Sequence, residues 1–171
     1  EDWRQLARST AAHSTVTFND ASSARFVTSP MFRRVLGGAP MLDGPSHVAV
    51  TREDRPDAIV LRAKHDGYAE RYGILHERTI TLAADGTRLE GEDAFLAVDG
   101  SPQIRTTRDK YAVRLHLHPT VKATRLSDGH GVMLMAPEKE LWTFTVRDGR
   151  VELEDSVYLA GAEGPRRTVQ I

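Results

Sequence analysis

The dipeptide Asp-Gly occurs six times and divides the chain into short segments. Glycine accepts positive φ angles freely and aspartate tolerates them, so Asp-Gly is typical of the tight turns that join antiparallel strands. Between these pairs apolar residues alternate with polar ones, as in strands with one buried face. The chain is therefore predicted to fold mainly as short antiparallel strands. The six pairs begin at Asp43, Asp66, Asp85, Asp99, Asp128 and Asp148.

The predicted strands cover most of the chain. Alternation is clearest in 88–97, 112–118, 140–146 and 150–159, and further strands are predicted near 13–18, 23–28, 46–52, 57–65, 71–82, 120–126, 130–136 and 166–171. Helical turns are expected only within 1–9 and 31–36, and loops at 37–45 and 99–110. Eight or more short strands predict an all-β fold. We expect one domain over residues 1–171, an antiparallel β-sandwich of two packed sheets.

Composition places the chain among globular proteins and excludes several classes of function. Of its 171 residues, 40% are hydrophobic and 27% are charged, with a net charge of −1. This balance provides no basic surface for nucleic acid, and no apolar run approaches the roughly 18 residues that a membrane-spanning helix needs. The chain contains no cysteine, which excludes disulfides and thiolate ligands but leaves periplasmic, secreted and cytoplasmic locations open.

Two further features bear on function and origin. Arginine outnumbers lysine 19 to 4, which indicates either a GC-rich genome or a surface for carboxylates and sulfates, whose geometry the guanidinium group matches. The sequence begins at Glu1 without a methionine and stops within a predicted strand. We therefore expect a fragment of a longer protein, so that a missing targeting sequence says nothing about the parent.

His13 is the first candidate functional residue. On its predicted strand it shares a polar face with Thr15 and Thr17, and Arg4 and Arg8 precede it. A histidine in this setting could be a metal ligand or an acid–base group. It could equally be a surface histidine with a hydrogen-bond partner. The residues alone leave these alternatives open.

His116 and His118 form a second candidate. They are two residues apart and therefore project from one face of a strand, a spacing that can seat a metal. No third ligand is marked nearby, and Arg114 on the same face would repel a cation. A solvated or stacked polar face is the simpler interpretation, and the roles of both histidines stay open.

The remaining polar clusters are weaker candidates. The segment 65–68 (His-Asp-Gly-Tyr) is interpreted as a hairpin turn after a strand, although a histidine beside a carboxylate could also form an orientation pair. Glu90, Glu92 and Asp93 form a run of carboxylates in which Glu90 and Glu92 share the solvent face. The roles of His65 and His76 stay open.

Nine segments, in their order and spacing, carry a resemblance to a known family. They are 2–4, 8–16, 23–26, 65–68, 72–78, 89–93, 113–119, 152–159 and 164–168. Together they resemble the C-terminal β-sheet domain of heparinase II/III-like proteins, which are polysaccharide lyases. The resemblance covers nearly the whole chain and is most specific around His13.

The resemblance implies a parent several times longer, whose N-terminal helical toroid is absent here. It implies a lyase that cleaves uronic-acid-containing glycans by β-elimination. In that reaction a base removes the C5 proton, a polar group or cation offsets the uronate carboxylate, and an acid protonates the leaving oxygen. The family's catalytic Tyr and His would precede Glu1. The resemblance therefore implies no catalytic residue in this chain and no activity of the fragment alone.

The resemblance also implies site residues. The family's His-Asn-Thr motif here reads His13-Ser14-Thr15. Where the family binds zinc, the matching histidine is one ligand, beside a His and an Asp that would precede Glu1. His13 is thus the expected metal ligand but cannot hold zinc alone. Arg4 and Arg8 are the expected binding residues for an acidic polysaccharide.

A non-catalytic carbohydrate-binding or structural module is the alternative function. Sugar-binding sandwiches usually expose aromatic residues, whereas aromatic residues are only 6% of this chain. Trp142 alternates in phase with Phe144, which predicts a core position. These observations favour the lyase domain, and a glycan-binding measurement on the isolated domain would distinguish the two functions.

Overall fold

The structure, a computed structural model, describes residues 2–103, 109–159 and 164–171. Over these residues the helices are α1 (Asp2–Leu6), α2 (Pro30–Val35) and α3 (Ala69–Tyr72), with one 3₁₀ turn at Thr10–Ala12. The strands are β1 (Val16–Phe18), β2 (Arg25–Phe26), β3 (Met41–Asp43), β4 (Val48–Asp54), β5 (Ala58–Tyr68), β6 (Ile74–Ala83), β7 (Leu89–Ala97), β8 (Tyr111–Val113), β9 (Lys122–Arg125), β10 (Gly131–Met135), β11 (Leu141–Thr145), β12 (Glu154–Tyr158) and β13 (Arg166–Gln170).

The predicted all-β class is confirmed by these thirteen described strands. They pair as antiparallel sheets, while the packing of two sheets into a sandwich stays a prediction. The longest helix in the described ranges has six residues, far fewer than a bilayer crossing requires. The helical turns expected near the start of the chain and around 31–36 are present as α1 and α2.

The chain forms two compact units. Residues 17–111 make up the continuous unit, and residues 1–16 and 112–171 together make up the split unit. Strands β1 and β8, which pair with each other, contain both points where the chain passes from one unit to the other. The expectation of a single sandwich domain over residues 1–171 stays a prediction.

The largest sheet of the continuous unit has the strand order β4-β5-β6-β7. Strands adjacent in sequence are adjacent in the sheet, so its connections are local. The register places His65 opposite His76 on β6, and His76 opposite Phe95 on β7. Side chains opposite each other share a face of the sheet. Three neighbouring strands therefore bring these three rings together.

Three of the six Asp-Gly pairs behave as predicted. The pairs at Asp85, Asp99 and Asp128 form turns in which glycine has a positive φ, and two of these turns join the paired strands β6–β7 and β9–β10. The hairpins predicted at Asp43 and Asp148 are wrong. In the described sheets β3 pairs with β2, and β11 pairs with β10, so neither strand pairs with the strand that follows it. Each of these strands pairs instead with the strand that precedes it, and β12 pairs with β13.

The hairpin predicted at Asp66-Gly67 is also wrong. Strand β5 continues through these residues to Tyr68, with a shift of register between His65 and Tyr68. A Cβ atom at Gly67 would lie 2.8 Å from the carbonyl oxygen of Ser23. Glycine is therefore required here by the close approach of another backbone, and the extra residues form a β-bulge.

The segment predicted as a strand over 71–82 begins instead as α3. Gly73 ends this helix in the left-handed conformation, with φ of +66°, and its N–H donates to the Ala69 carbonyl oxygen at 2.8 Å. Strand β6 then starts at Ile74. Strands β8 and β12 are likewise shorter than their predicted segments, and the loop predicted at 37–45 contains β3.

Aromatic rings form the core of the continuous unit. The ring of Phe18 lies 5.1 Å from those of Tyr72 and Phe95, measured between centroids, and Tyr68 is fully buried. Leu89 alternates in phase with Phe95 but is 61% exposed at the opposite end of β7. The core therefore covers only one half of this sheet face.

The split unit contains two small sheets. Strands β9, β10 and β11 form one, with β10 in the centre, and Trp142 and Phe144 are both half-buried on β11, in the predicted phase. Strands β12 and β13 form the other. Leu115 extends this second sheet, because its N–H and carbonyl groups exchange hydrogen bonds with Ile171 at 2.8 and 3.1 Å.

Candidate functional site

His13 lies in an exposed loop of the split unit. The prediction that it shares a strand face with Thr15 and Thr17 is wrong. The preceding 3₁₀ turn closes when the His13 N–H donates to the Thr10 carbonyl oxygen at 3.1 Å, and β1 begins only at Val16. Thr17 is instead buried within β1. His13 thus projects from a loop that directly precedes a strand.

The loop around His13 is held on both sides by one residue, His116. The His116 ring donates from Nε2 to the Ala11 carbonyl oxygen at 2.9 Å. The His116 backbone N–H donates to the Ser14 hydroxyl oxygen at 3.0 Å. Ala11 and Ser14 flank the pair 12–13, so a residue more than 100 positions away fixes both ends of the loop.

The His116 ring is itself supported by polar side chains of β12 and β13. Its Nδ1 atom lies 2.8 Å from the Ser156 hydroxyl oxygen. Because a carbonyl oxygen can only accept, Nε2 of the His116 ring carries a hydrogen. The Ser156 oxygen also lies 3.2 Å from Gln170 Oε1, and Gln170 Nε2 donates to Glu154 at 2.9 Å.

His118 has different partners from His116, although the two were predicted to share a strand face. Its Nδ1 atom lies 2.7 Å from the Thr120 hydroxyl, and its ring packs edge-on against Tyr158 at 5.0 Å. Strand β8 ends at Val113, so the alternation does not apply at these positions. The simpler interpretation, a stacked polar side chain, describes His118 well.

Arg4 and Arg8 lie in the same stretch of the split unit as His13. Arg4 is exposed in the last turn of α1, and Arg8 is half-buried just after that helix. The Arg8 backbone N–H donates to the Gln5 carbonyl oxygen at 3.2 Å. Their expected role in binding an acidic polysaccharide stays a prediction.

His13 suits the role of one metal ligand but not of a whole site. It is exposed, and neither ring nitrogen has a hydrogen-bond partner within the described ranges. Across those same ranges no three histidine, aspartate or glutamate side chains come together in a way that could hold a metal ion. Since zinc needs three or four ligands, the others would come from outside the described residues. His13 as a ligand stays a prediction.

A second polar cluster, which we call the His65–His76–Asp93 chain, lies in the continuous unit. His76 is 3% exposed, and its Nε2 atom lies 2.7 Å from Asp93 Oδ1, while its Nδ1 atom lies 3.1 Å from His65 Nε2. Arg78 donates from Nε and Nη2 to the two Asp93 oxygens, each at 2.8 Å. The cluster ties β5, β6 and β7 together.

The hydrogen bonds of the His65–His76–Asp93 chain run in one direction. The Gly67 N–H donates to His65 Nδ1 at 3.1 Å, so the hydrogen of His65 is on Nε2 and points to His76. His76 then donates to Asp93. Burial, and next the neighbouring His76, lower the pKa of His65 to about 4. Burial alone would raise the pKa of Asp93, but hydrogen bonds from His76 and Arg78 lower it on balance.

The His65–His76–Asp93 chain resembles the orientation pairs of acid–base catalysis, but both of its ends are occupied. One end accepts from the Gly67 backbone and the other from Arg78. No reactive atom is therefore presented to a substrate, and the cluster serves the fold. Sequence reasoning missed it, although one signal existed: Asp93 is in phase with the core residue Phe95, whereas Glu90 and Glu92 are exposed as predicted.

Comparison with known proteins identifies the kind of domain. Residues 1–171 match the family model described as Heparinase II/III-like, C-terminal. The chain belongs to this family. The resemblance drawn from the nine segments is therefore confirmed over the whole chain. No solved structure matches the chain.

A curated relative is similar over most of the chain. FtsZ-localized protein C from Caulobacter vibrioides (strain NA1000 / CB15N) is 32% identical over 146 residues. The match covers 84% of this chain and 24% of the relative, so the chain spans about a quarter of that protein's length. The name of the relative refers to its localisation with FtsZ and to no reaction.

Proposed function

We propose that this chain is the β-domain of a polysaccharide lyase that cleaves uronic-acid-containing glycans by β-elimination, and that the chain alone has no lyase activity. The observation that carries the proposal is the placement of His13. Its ring is exposed and lacks hydrogen-bond partners within the described ranges, yet both flanks of its loop are fixed by His116. A histidine ring nitrogen without a hydrogen-bond partner, on a loop that is held in place, suits a metal ligand better than a surface histidine with no role.

The expected contribution of the chain is to bind and orient rather than to transfer protons. His13 would provide one of the zinc ligands. When bound, zinc would supply a fixed positive charge that stabilises the negative charge developing on the uronate. Arg4 and Arg8 would face carboxylate or sulfate groups, since guanidinium groups pair with both through two hydrogen bonds. The base and acid would come from the rest of the parent.

The proposal is tested in the full-length parent by His13→Ala, with His118→Ala as the matched control. His118 belongs to the same unit and its backbone lies close in sequence to His116, but its ring contacts Thr120 and Tyr158. We expect His13→Ala to lower bound zinc and product formation together, by about 10-fold or more, while His118→Ala changes neither. Product is followed by the ultraviolet absorbance of the unsaturated sugar. Wild-type zinc content and turnover in His13→Ala would reject the proposal.

The second candidate function is a non-catalytic domain of a protein that localises with FtsZ. It is favoured by the relative named FtsZ-localized protein C, which is 32% identical. A fluorescent fusion of the parent should then co-localise with FtsZ, while uronic glycans remain uncleaved by the purified protein. Cleavage without co-localisation would instead favour the lyase.

A further inference from the structure

The His13 loop is short and lies between the 3₁₀ turn at Thr10–Ala12 and β1. Within the loop, the His13 carbonyl oxygen accepts from the Thr15 N–H at 2.8 Å, and the His13 side chain makes no hydrogen bond to the described residues. A ligand on a loop binds weakly if the loop must be ordered each time, because the lost conformational entropy counts against binding. Support from outside the loop therefore decides how well the His13 ring is placed.

His116 provides that support from two directions at once. Its ring bonds to Ala11 on one side of His13, and its backbone N–H bonds to Ser14 on the other. Ser14 stands where the family motif has asparagine, and its hydroxyl oxygen is the acceptor of the second bond. The two bonds leave His13 between fixed points that are three residues apart.

His116 is well suited to act as a fixed point. Its backbone forms an antiparallel bridge with Gln170. On one side of this bridge Leu115 makes two backbone hydrogen bonds with Ile171, and on the other side the Leu117 N–H donates to the Val169 carbonyl oxygen. Its ring is held by Ser156 on β12. The His116 imidazole thus links the sheet formed by β12 and β13 to the His13 loop.

We infer that His116, backed by Ser156, is the positioning residue for His13 and sets the zinc affinity of the site. This inference rests on the proposed function of His13 as a ligand. It follows the general pattern in which hydrogen-bonded neighbours fix the orientation of a ligand, and loss of such a neighbour typically costs about 10- to 100-fold in metal affinity.

The chain alone provides the first test, with no metal present. Replacing His116 by Gln and by Asn distinguishes a side chain that still reaches Ala11 from one that does not. His116→Gln keeps an N–H donor three bonds beyond Cβ, as Nε2 is, and can still bond to Ala11. His116→Asn is one bond shorter and reaches only the position of Nδ1, beside Ser156. Nitrogen relaxation should give order parameters near 0.85 for His13 and Ser14 in wild type and the Gln variant, and below about 0.6 in the Asn variant.

The full-length parent provides the second test, in which zinc affinity is measured by competition with a chelator. We expect His116→Asn and Ser156→Ala to weaken zinc binding by about 10-fold or more, His116→Gln to restore most of it, and the control His118→Ala to leave it unchanged. A purely structural role would alter the unfolding midpoint of the Gln and Asn variants alike. Rescue by Gln alone is the specific signature of positioning.

The outcomes separate this inference from the proposed function. If His13→Ala weakens zinc binding but His116→Asn and Ser156→Ala do not, the positioning role is overturned and the ligand role stands. If His13→Ala leaves zinc binding intact, the proposed function fails, while the relaxation data still decide whether His116 orders the loop. If His116→Asn does not fold, Ser156→Ala and Ser14→Ala, which each remove one support, carry the test.

Discussion

Replacing Asp93 by Asn should destabilise the continuous unit strongly while barely changing its shape. The Asp93 carboxylate accepts three hydrogen bonds, one from His76 at 2.7 Å and two from Arg78 at 2.8 Å. Asparagine keeps one acceptor oxygen, which can still serve His76. Its amide group must then face Nη2 of Arg78, so that donor meets donor and the guanidinium charge loses its partner.

The magnitude follows from the burial of the pair. Removing one partner of a buried ion pair typically costs about 3–5 kcal/mol, because the other charge stays buried and unpaired. The Arg78 side chain is 18% exposed, so water can recover part of this loss. We expect Asp93→Asn to lower the free energy of unfolding by about 2–3 kcal/mol. Glu92→Gln, an exposed neighbour on the other face of β7, should change it by less than about 0.5 kcal/mol.

The two units carry different chromophores, which makes the assay specific. Both tryptophans, Trp3 and Trp142, belong to the split unit, whereas three of the four tyrosines, Tyr68, Tyr72 and Tyr111, belong to the continuous unit. Urea unfolding should therefore be followed by near-ultraviolet circular dichroism of tyrosine and, in parallel, by tryptophan fluorescence. Hydrogen exchange of β6 and β7 locates the effect. A tyrosine midpoint for Asp93→Asn that matches Glu92→Gln would refute the reasoning.

Three further predictions follow from single residues. His65 has its pKa lowered to about 4 by burial, against about 6.5 when unfolded, so the unfolded chain takes up the proton first. The free energy of unfolding should thus be unaffected by His65 above about pH 6.5 and should fall by about 1–2 kcal/mol towards pH 4, after a discount for the partial exposure of the ring. His65→Gln should flatten this pH dependence, and an unchanged slope in urea titrations would contradict it. Gly67→Ala should cost about 2 kcal/mol or more in urea unfolding, because a Cβ atom would lie 2.8 Å from the Ser23 carbonyl oxygen; Gly86→Ala, in an open turn, should cost less, and equal losses would count against the close-approach argument. His13→Ala in this chain should shift the melting temperature by no more than about 1–2 °C, since an exposed ring without partners in the described ranges is removed, and a large shift in calorimetry would mark His13 as a structural residue.

Local signals in the sequence predicted the parts of the fold that are local. The turns at Asp85 and Asp128 depend on two residues and the strands beside them, and both are present. Asp66-Gly67 has the same two letters, but its conformation is set by the backbone of Ser23, more than 40 positions away. A dipeptide carries no information about such a contact.

The candidate site shows the same limit. His13 could be singled out from its motif, whereas its support could not. The partner of Ala11 is His116, and nothing in the alternation around 112–118 distinguishes that residue from His118. The distinction arises because β8 ends at Val113 and the following backbone pairs with the end of β13. Pairing between distant segments therefore decides which histidine supports the loop.

The division of the split unit into 1–16 and 112–171 has a consequence for the order of events during synthesis. A ribosome adds about 5–20 residues per second, so the 60 residues after Tyr111 take about 3–12 s. The continuous unit can fold as soon as residue 111 has emerged. The stretch that carries His13 must wait, without His116, until the later part of its own unit has been made. A nascent chain halted once residue 111 has emerged from the ribosome should therefore show a protected β4–β7 sheet and a protease-sensitive N-terminal segment.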